Sequence, residues 1–444
     1  MNWTIGLAGI YLVAICWWIS HWKRFRPADM SAFILILFFL SRVAMAVFYG
    51  WIHQRYYPGF NDSWKSFHQA VTLASWWHRN PQGFWQYVHI RLNYLLYRDF
   101  LGVHHTFWQS SGNYVMIVLQ MIFNLFSGSS YYLNCLFFSL LTLPGWLRFM
   151  QLYRAVAHMP VRATWIWFHL PGVWFWFSGM HKDALVLMCL SLLGYHTHRL
   201  LQHLFSDKAG VRLPVGDSVW IVFSWIGVLL LKNFLVLLLL PAWLAWITSV
   251  FLKTGKFRLP RVANRLTRSA EGGLFIFCLV GWLLVGMLMS RGFQLHPLQI
   301  IIERQQAFYR VGLELGAHSL LSPIPLMPDW LSLLKALPQA VWRVLSLPDP
   351  SHRHALLQLS VQLNNVIFLL LLMAAIWSAS VRKIHQVHPW LLFSYWLALS
   401  YLLLIGYTVC ITGAMVRYRA LAEFFLAAPG VDMLYKKCIK KNNI

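Results

Sequence analysis

The sequence predicts an all-α integral membrane protein: one polytopic domain over residues 1–444, with about eleven transmembrane helices and two long outward loops carrying amphipathic interfacial helices. Three observations predict it. Hydrophobic residues make up 59% of the chain and charged residues 11%, and the mean hydropathy is +0.56. A soluble chain charges about a quarter of its residues, because a water-facing surface needs that coat and a lipid-facing one does not. Second, apolar runs able or nearly able to cross a bilayer recur along the chain. Third, the Lys and Arg behind a formal charge of +24 gather in the connections between those runs.

The runs fall at about 2–20, 31–50, 131–150, 164–179, 184–201, 218–231, 234–251, 272–290, 361–380, 389–411 and 420–435. Residues 2–20 have the length of a signal peptide, but no basic segment precedes them and His21-Trp22-Lys23-Arg24 follows, so they read as an uncleaved first span. The stretch 218–251 is one run broken only by Lys232-Asn233. It is split because a continuous run would overshoot one crossing and a Lys is tolerable where it reaches an interface. Many of the 25 Trp sit near run ends, where an amphipathic ring prefers the interface.

The basic clusters are Lys23, Arg24 and Arg26; Arg154 and Arg162; Lys253, Lys256, Arg258, Arg261, Arg265 and Arg268; Arg382 and Lys383; and Lys436, Lys437, Lys440 and Lys441. Placing all of them inside puts the N-terminus out and the C-terminus in, without contradiction. Their counter-charge is then anionic membrane lipid; nucleic acid is excluded as a partner because no soluble basic domain is present. The six cysteines show no CxxC or Cys/His spacing, so neither a disulfide framework nor a zinc site is readable.

Two outward connections, about 51–130 and 291–360, are far longer than a turn requires. In the first, Trp64, Phe67, Val71 and Ala74 keep helical spacing until Asn80-Pro81 breaks it. In the second, Trp330, Leu333, Leu334, Leu337, Val341, Trp342 and Leu345 do the same, with Pro338 as an interruption. Both fit amphipathic helices lying on the outer leaflet. Residues 114–127 read as a third such helix or a re-entrant half-span, and no internal repeat is visible.

The chain has thirteen Asp and Glu. Asp29, Asp207, Asp217, Glu271 and Asp432 fall on the inner side or its borders. Asp62, Asp99, Asp183, Glu303, Glu314, Asp329 and Asp349 face outward, and Glu423 sits just below the outer border of the last span. Outward acid–base chemistry must draw on that short list or on histidine. Asp62 follows Tyr56-Tyr57-Pro58-Gly59-Phe60-Asn61, a turn signal before an amphipathic helix; either Asp62 or Ser63 merely N-caps that helix, or Asp62 is a catalytic acid. The string beginning at Pro171 ends an aromatic run at Ser178-Gly179 and starts the next with His181-Lys182-Asp183. That is either a solvated hairpin tip with a local Lys–Asp pair, or a phosphate pocket with Lys182 and His181 as donors and Asp183 orienting them. Arg417-Tyr418-Arg419 stands at the outer entrance to the last span, against the positive-inside trend. These arginines either snorkel to headgroups or grip a lipid phosphate bidentately, with Lys232 and Arg291 on the same positive rim.

At these three places the chain resembles the GT-C superfamily of polytopic glycosyltransferases, particularly bacterial relatives of the protein-mannosyl and lipid A aminoarabinose transferases. Tyr57-Pro58-Gly59-Phe60-Asn61-Asp62 occupies the place of that family's catalytic acid in the first outward loop. Pro171, Phe175, Trp176, Ser178, Gly179, Lys182 and Asp183 match a P-x-x-x-F-W-x-S-G-x-x-K-[DE] string, and Arg417-Tyr418-Arg419 matches a late R-Y-[KR]. The likeness runs from the second span to the last through short motifs. Asn61-Asp62 stands where some members carry an acid pair, the first span is additional, and no large soluble domain follows the spans.

The resemblance implies a GT-C-like fold in a bacterial inner membrane, with the active site facing the exterior. The donor would be a polyprenyl-phosphate-linked sugar and the acceptor a glycan, a lipid or a protein. Asp62 would take the proton of the acceptor hydroxyl. Lys182, Arg417 and Arg419 would stabilise the leaving phosphate. The 291–360 loop would cover the site, with Glu303 in reserve to orient substrate. No cofactor is required by this chemistry, and a divalent cation is left open. The competing readings are a transporter or flippase of lipid-linked glycans, an O-antigen-type polymerase or ligase, and an exosortase-like transpeptidase using Cys410 and Arg417. Transporters often show inverted repeats and polar residues deep in their spans, which this sequence does not display.

Overall fold

A computed structural model describes residues 2–22, 26–27, 30–57, 62–94, 106–157, 161–205, 215–253, 271–292, 296–317, 319–346, 355–381 and 387–442. Outside them lie the turn residues 58–61, the acids Asp29, Asp99, Asp207 and Asp349, and the basic residues Lys23, Arg24, Lys256, Arg258, Arg261, Arg265, Arg268, Arg382 and Lys383. The side chains of Arg162, Glu271, Arg291, Asp432 and the C-terminal lysines also fall outside the description.

In chain order the described helices are α1 (Asn2–Ser20), α2 (Ala32–Tyr56), α3 (Asp62–Arg79), α4 (Pro81–Tyr94), α5 (Thr106–Ser127), α6 (Tyr131–Ala157), α7 (Val161–Phe168), α8 (Pro171–Ser178) and α9 (Lys182–Phe205). They continue as α10 (Val215–Lys232), α11 (Leu235–Lys253), α12 (Glu271–Gly292), α13 (Pro297–Glu314), α14 (Trp330–Leu345), α15 (Ala355–Val381), α16 (Pro389–Thr408) and α17 (Thr412–Asn442). Among the described residues the only β pairing is an isolated antiparallel bridge between Leu320 and Ile411. The chain divides into two compact units, Met1–Ala155 with Trp174–Val236, and Val156–Val173 with Leu237–Ile444.

Among the described residues, eight helices are long and apolar enough to cross a membrane: α2, α6, α9, α10, α11, and the apolar stretches Gly272–Ser290 of α12, Leu359–Trp377 of α15 and Pro389–Thr408, which is α16. This is an all-helical, multi-pass architecture, and those eight coincide with eight of the eleven apolar runs. The other three runs fold differently. Residues 2–20 form α1, whose apolar stretch Ile5–Ser20 is shorter. Residues 420–435 belong to α17 and extend past the described side chains. The run 164–179 is not one helix: α7 ends at Phe168, and Pro171 opens α8 as its first residue. Proline is pre-organised for that position but pushes the residue before it out of the helical region, so the break lies in the sequence itself.

Exposure separates interior spans from lipid-facing ones. In α6 and α9, 78% of the apolar window is buried inside the protein, against 22% in α15. The exposed side chains of α15 include Leu359, Leu363, Val366, Leu370, Met373 and Trp377, a stripe at steps of three and four. Phe277, Val280, Leu284 and Leu288 make a similar stripe on α12. Continuous apolar faces of this size suit the bilayer as their solvent.

The two amphipathic helices read from sequence are present with altered detail. In α3 the buried face is Ser63, Ser66, Phe67, Ala70 and Ala74. Trp64 and Val71 lie half-buried at its edge. In the second unit α14 runs through Pro338 without ending. Its start is fixed by Asp329, whose carboxylate accepts the Ser332 N–H at 2.6 Å, so this acid is an N-cap. Its other face packs on α16: Ala336, Ala340 and Tyr407 share a core with Ile324, and the Tyr407 hydroxyl donates to the Leu333 carbonyl at 2.8 Å. Gly406 permits this contact, since a Cβ there would stand 2.3 Å from the Ala340 carbonyl oxygen. Gly406→Val should therefore destabilise by about 1–3 kcal/mol, as overpacking does, whereas Gly413→Ala, with open space around it, should be neutral. Thermal unfolding of the two variants in detergent checks this.

Candidate functional site

The site is built on the turn after α8, within the first unit. The carbonyl end of a short helix leaves acceptors unpaired. Arg42, in the middle of α2 and 1% exposed, donates to the Phe177 carbonyl at 2.9 Å and to Thr142 Oγ1 at 3.1 Å. Its guanidinium lies 4.3 Å from the centre of the Trp146 ring. A lone arginine inside the 31–50 run was the available signal for such a partner, and sequence reasoning did not use it. Gly179 follows, and a Cβ there would meet the Tyr49 ring at 2.6 Å, so only glycine lets the turn close on α2.

The start of α3 is tied to the same turn. Ser63 Oγ, buried, donates to the Met180 carbonyl at 2.7 Å and also lies 2.7 Å from the Tyr131 hydroxyl. A hydroxyl has one proton, so Tyr131 is the donor in the second bond. Trp64 stacks on Tyr131 with centroids 3.9 Å apart and donates its indole N–H to the Gly50 carbonyl at 3.0 Å. These neighbours hold Asp62, the first residue of α3, with its carboxylate Oδ2 3.7 Å from His181 Nε2. Asp62 is not buried with its partner: its side chain is 53% exposed, that of His181 3%.

Behind His181 the charges are internal. His181 Nδ1 lies 3.1 Å from Asp183 Oδ2, and Lys232 Nζ lies 2.5 Å from Asp183 Oδ1, with all three side chains at 3–4% exposure. The structure thus brings Asp62, His181, Asp183 and Lys232, from three separate stretches of sequence, into one chain of contacts. Lys232, expected as a phosphate ligand on the rim, sits beneath Asp183 as its counter-charge. Lys182 is half-buried and donates to Asn113 Oδ1 at 3.2 Å, a residue of α5 that the sequence gave no reason to single out. The pairing of α9 with α10 has a matching lock at its other end. His196 Nδ1 is 2.6 Å from Asp217 Oδ1, and Arg199 is 3.7 Å from Asp217 Oδ2.

The remaining sequence candidates belong to the second unit. Arg417 is half-buried; it donates to the Tyr418 hydroxyl at 3.0 Å and lies 4.8 Å from the centre of that ring. Arg419 is 1% exposed. It donates to the Val344 carbonyl at 2.9 Å and to the Asn365 side chain, lies over the Phe368 ring at 4.4 Å and stands 3.9 Å from Glu423. Glu423 also accepts from Asn364 Nδ2 at 3.1 Å, so this arginine serves an internal polar cluster. Glu303 is exposed and accepts from Gln299 one turn earlier at 3.1 Å. Arg291 lies on the last turn of α12. Cys410 is fully buried, and the nearest acceptors of its thiol are the Gln305 and Thr408 carbonyls at 3.9 and 4.0 Å. A thiol so enclosed is inert. Maleimide should leave Cys410 unmodified in the folded protein and label it after denaturation, as mass spectrometry of the peptide would show.

Among the described residues, no group of three or more His, Cys, Asp or Glu is placed to hold a metal ion. No protein-family model, curated protein or solved structure matches the chain.

Proposed function

We propose that the protein is a glycosyltransferase that moves a sugar from a polyprenyl-phosphate carrier to an acceptor hydroxyl at the outer face of a bacterial inner membrane, with Asp62 as general base. The observation that carries this reading is the meeting of Asp62, an exposed carboxylate, with the buried His181–Asp183–Lys232 group in the first unit. A half-exposed carboxylate on a braced helix start suits proton abstraction from a hydroxyl that arrives from solvent. Lys182, on the next residue of the turn, supplies the positive charge for a phosphate leaving group. As the acceptor oxygen bonds to the anomeric carbon, the bond to the carrier phosphate breaks and its electron pair leaves with the phosphate. The carrier stays in lipid throughout, which accounts for the membrane setting.

A transporter or flippase of lipid-linked glycans is the second reading. The buried His196–Asp217 pair favours it, because ionisable groups inside spans are typical of carriers. Asp62→Asn separates the two readings: a transferase should lose turnover and keep donor binding, whereas a transporter should keep its flux.

A further inference from the structure

We infer that Asn113 is a positioning residue for Lys182, and that with Ser111 and Gly112 it forms a bracket presenting the Lys182 ammonium to a lipid-linked phosphate. The identity of that phosphate rests on the transferase reading above.

Lys182 is the first residue of α9, where the positive end of the helix dipole disfavours a cation, so its charge does not serve the helix. The neighbouring carboxylate is engaged elsewhere: Asp183 Oδ1 lies 2.5 Å from Lys232 Nζ, and Oδ2 lies 3.1 Å from His181 Nδ1. Among the described residues no carboxylate lies within ion-pair distance of Lys182, and its partner is the neutral Asn113 carboxamide at 3.2 Å. An ammonium carries donors only, so the amide oxygen is the atom that faces it. That oxygen answers one of three N–H groups and none of the charge.

Three consecutive residues of α5 build the support. Ser111 Oγ donates to the Leu230 carbonyl at 2.6 Å, which ties α5 to the last turn of α10, the turn that carries Lys232. Gly112 brings the two backbones together: a Cβ there would stand 2.7 Å from the Leu231 carbonyl oxygen and 3.3 Å from Lys182 Cδ. The lysine stem therefore lies against a strip of α5 that has no side chain. Asn113 then meets the ammonium at the end of that stem. A lysine stem has several free torsions, and fixing them costs entropy. Contact with Gly112 and the bond to Asn113 meet that cost before a ligand arrives, which is how preorganisation raises affinity. Asn113 is exposed and Lys182 half-buried, so their contact lies at the surface of the unit, where an anion can reach it.

The test measures equilibrium binding of polyprenyl phosphate to the full chain in lipid nanodiscs. Asn113→Ala should weaken binding about threefold to tenfold, the range of one hydrogen bond, and Lys182→Ala should weaken it more. In the Lys182→Ala background, Asn113→Ala should change affinity by less than about twofold, because a residue that acts through Lys182 then has nothing to position. Asn113→Asp separates positioning from packing. It keeps the shape of the side chain and an oxygen on the ammonium, so thermal unfolding should stay unchanged or shift upwards. Its charge neutralises Lys182, so affinity should fall at least as far as in Asn113→Ala. Wild-type affinity in Asn113→Asp overturns the inference, as does wild-type affinity in Lys182→Ala. An equal effect of Asn113→Ala with and without Lys182 overturns it too. Binding is read without turnover, so these failures are distinct from failure of the transferase reading. That reading falls if Asp62→Asn transfers sugar like the wild type, or if no polyprenyl-phosphate sugar is consumed, and the binding results then describe a carried phosphate rather than a reacting one.

Discussion

Asp62→Asn is expected to reduce sugar transfer by about a hundredfold to ten-thousandfold, the range general-base catalysis contributes, while polyprenyl-phosphate affinity stays at the wild-type value. The carboxamide matches the carboxylate in shape, and the residues that brace the start of α3 are Ser63 and Trp64, which the substitution leaves in place. Asp62 is also the exposed member of its cluster, at 53%, so its loss uncovers no buried charge. The variant should therefore fold and bind but not turn over, a separation that single-turnover kinetics beside equilibrium binding would read directly. Weakened binding with an unchanged turnover number would move Asp62 from chemistry to recognition.

The second large effect is on stability. Lys232→Ala alone should cost about 3–5 kcal/mol, because it strands the Asp183 carboxylate in an apolar setting beneath His181. Both side chains are 4% exposed, so solvent screens the pair little. Asp183→Ala alone should cost a similar amount for the mirror reason. The double change Asp183→Leu with Lys232→Met should recover most of the loss, since two charges that are never buried incur no desolvation. Thermal unfolding of these proteins in one detergent, with the single changes Asp183→Leu and Lys232→Met beside them, gives the cycle. A sum of the single losses in the double variant would mean that the two residues do not act as a pair.

Much of the architecture was legible because apolar runs and charge placement are properties of single segments. Eight of the runs fold as helices of spanning length, and His181-Lys182-Asp183 was visible as a compact polar insertion between two apolar runs. What the sequence concealed depends on partners distant along the chain. Asp183 was read beside its neighbour Lys182, yet it pairs with Lys232, 49 positions away, because the antiparallel α9 and α10 place the first turn of one against the last turn of the other. Ser63 looked like a cap and is a tether to Met180. Arg42 was an unexplained charge in an apolar run until Phe177 and Trp146 appeared around it. Two local signals were misweighted as well. Pro171 was read as part of a span although it marks a helix start, and Pro338 was read as an interruption although packing of Ala336 and Ala340 carries α14 through it. In each case tertiary contact decided what local preference left open.

If a bond is broken at this site, the fate of the carrier reveals it. Wild-type protein in vesicles containing phosphorus-labelled polyprenyl-phosphate sugars and membrane-derived acceptors should convert label into free polyprenyl phosphate, resolved by thin-layer chromatography, at a rate abolished by Asp62→Asn. Labelled donor that crosses between leaflets intact, at a rate Asp62→Asn does not alter, would contradict the account.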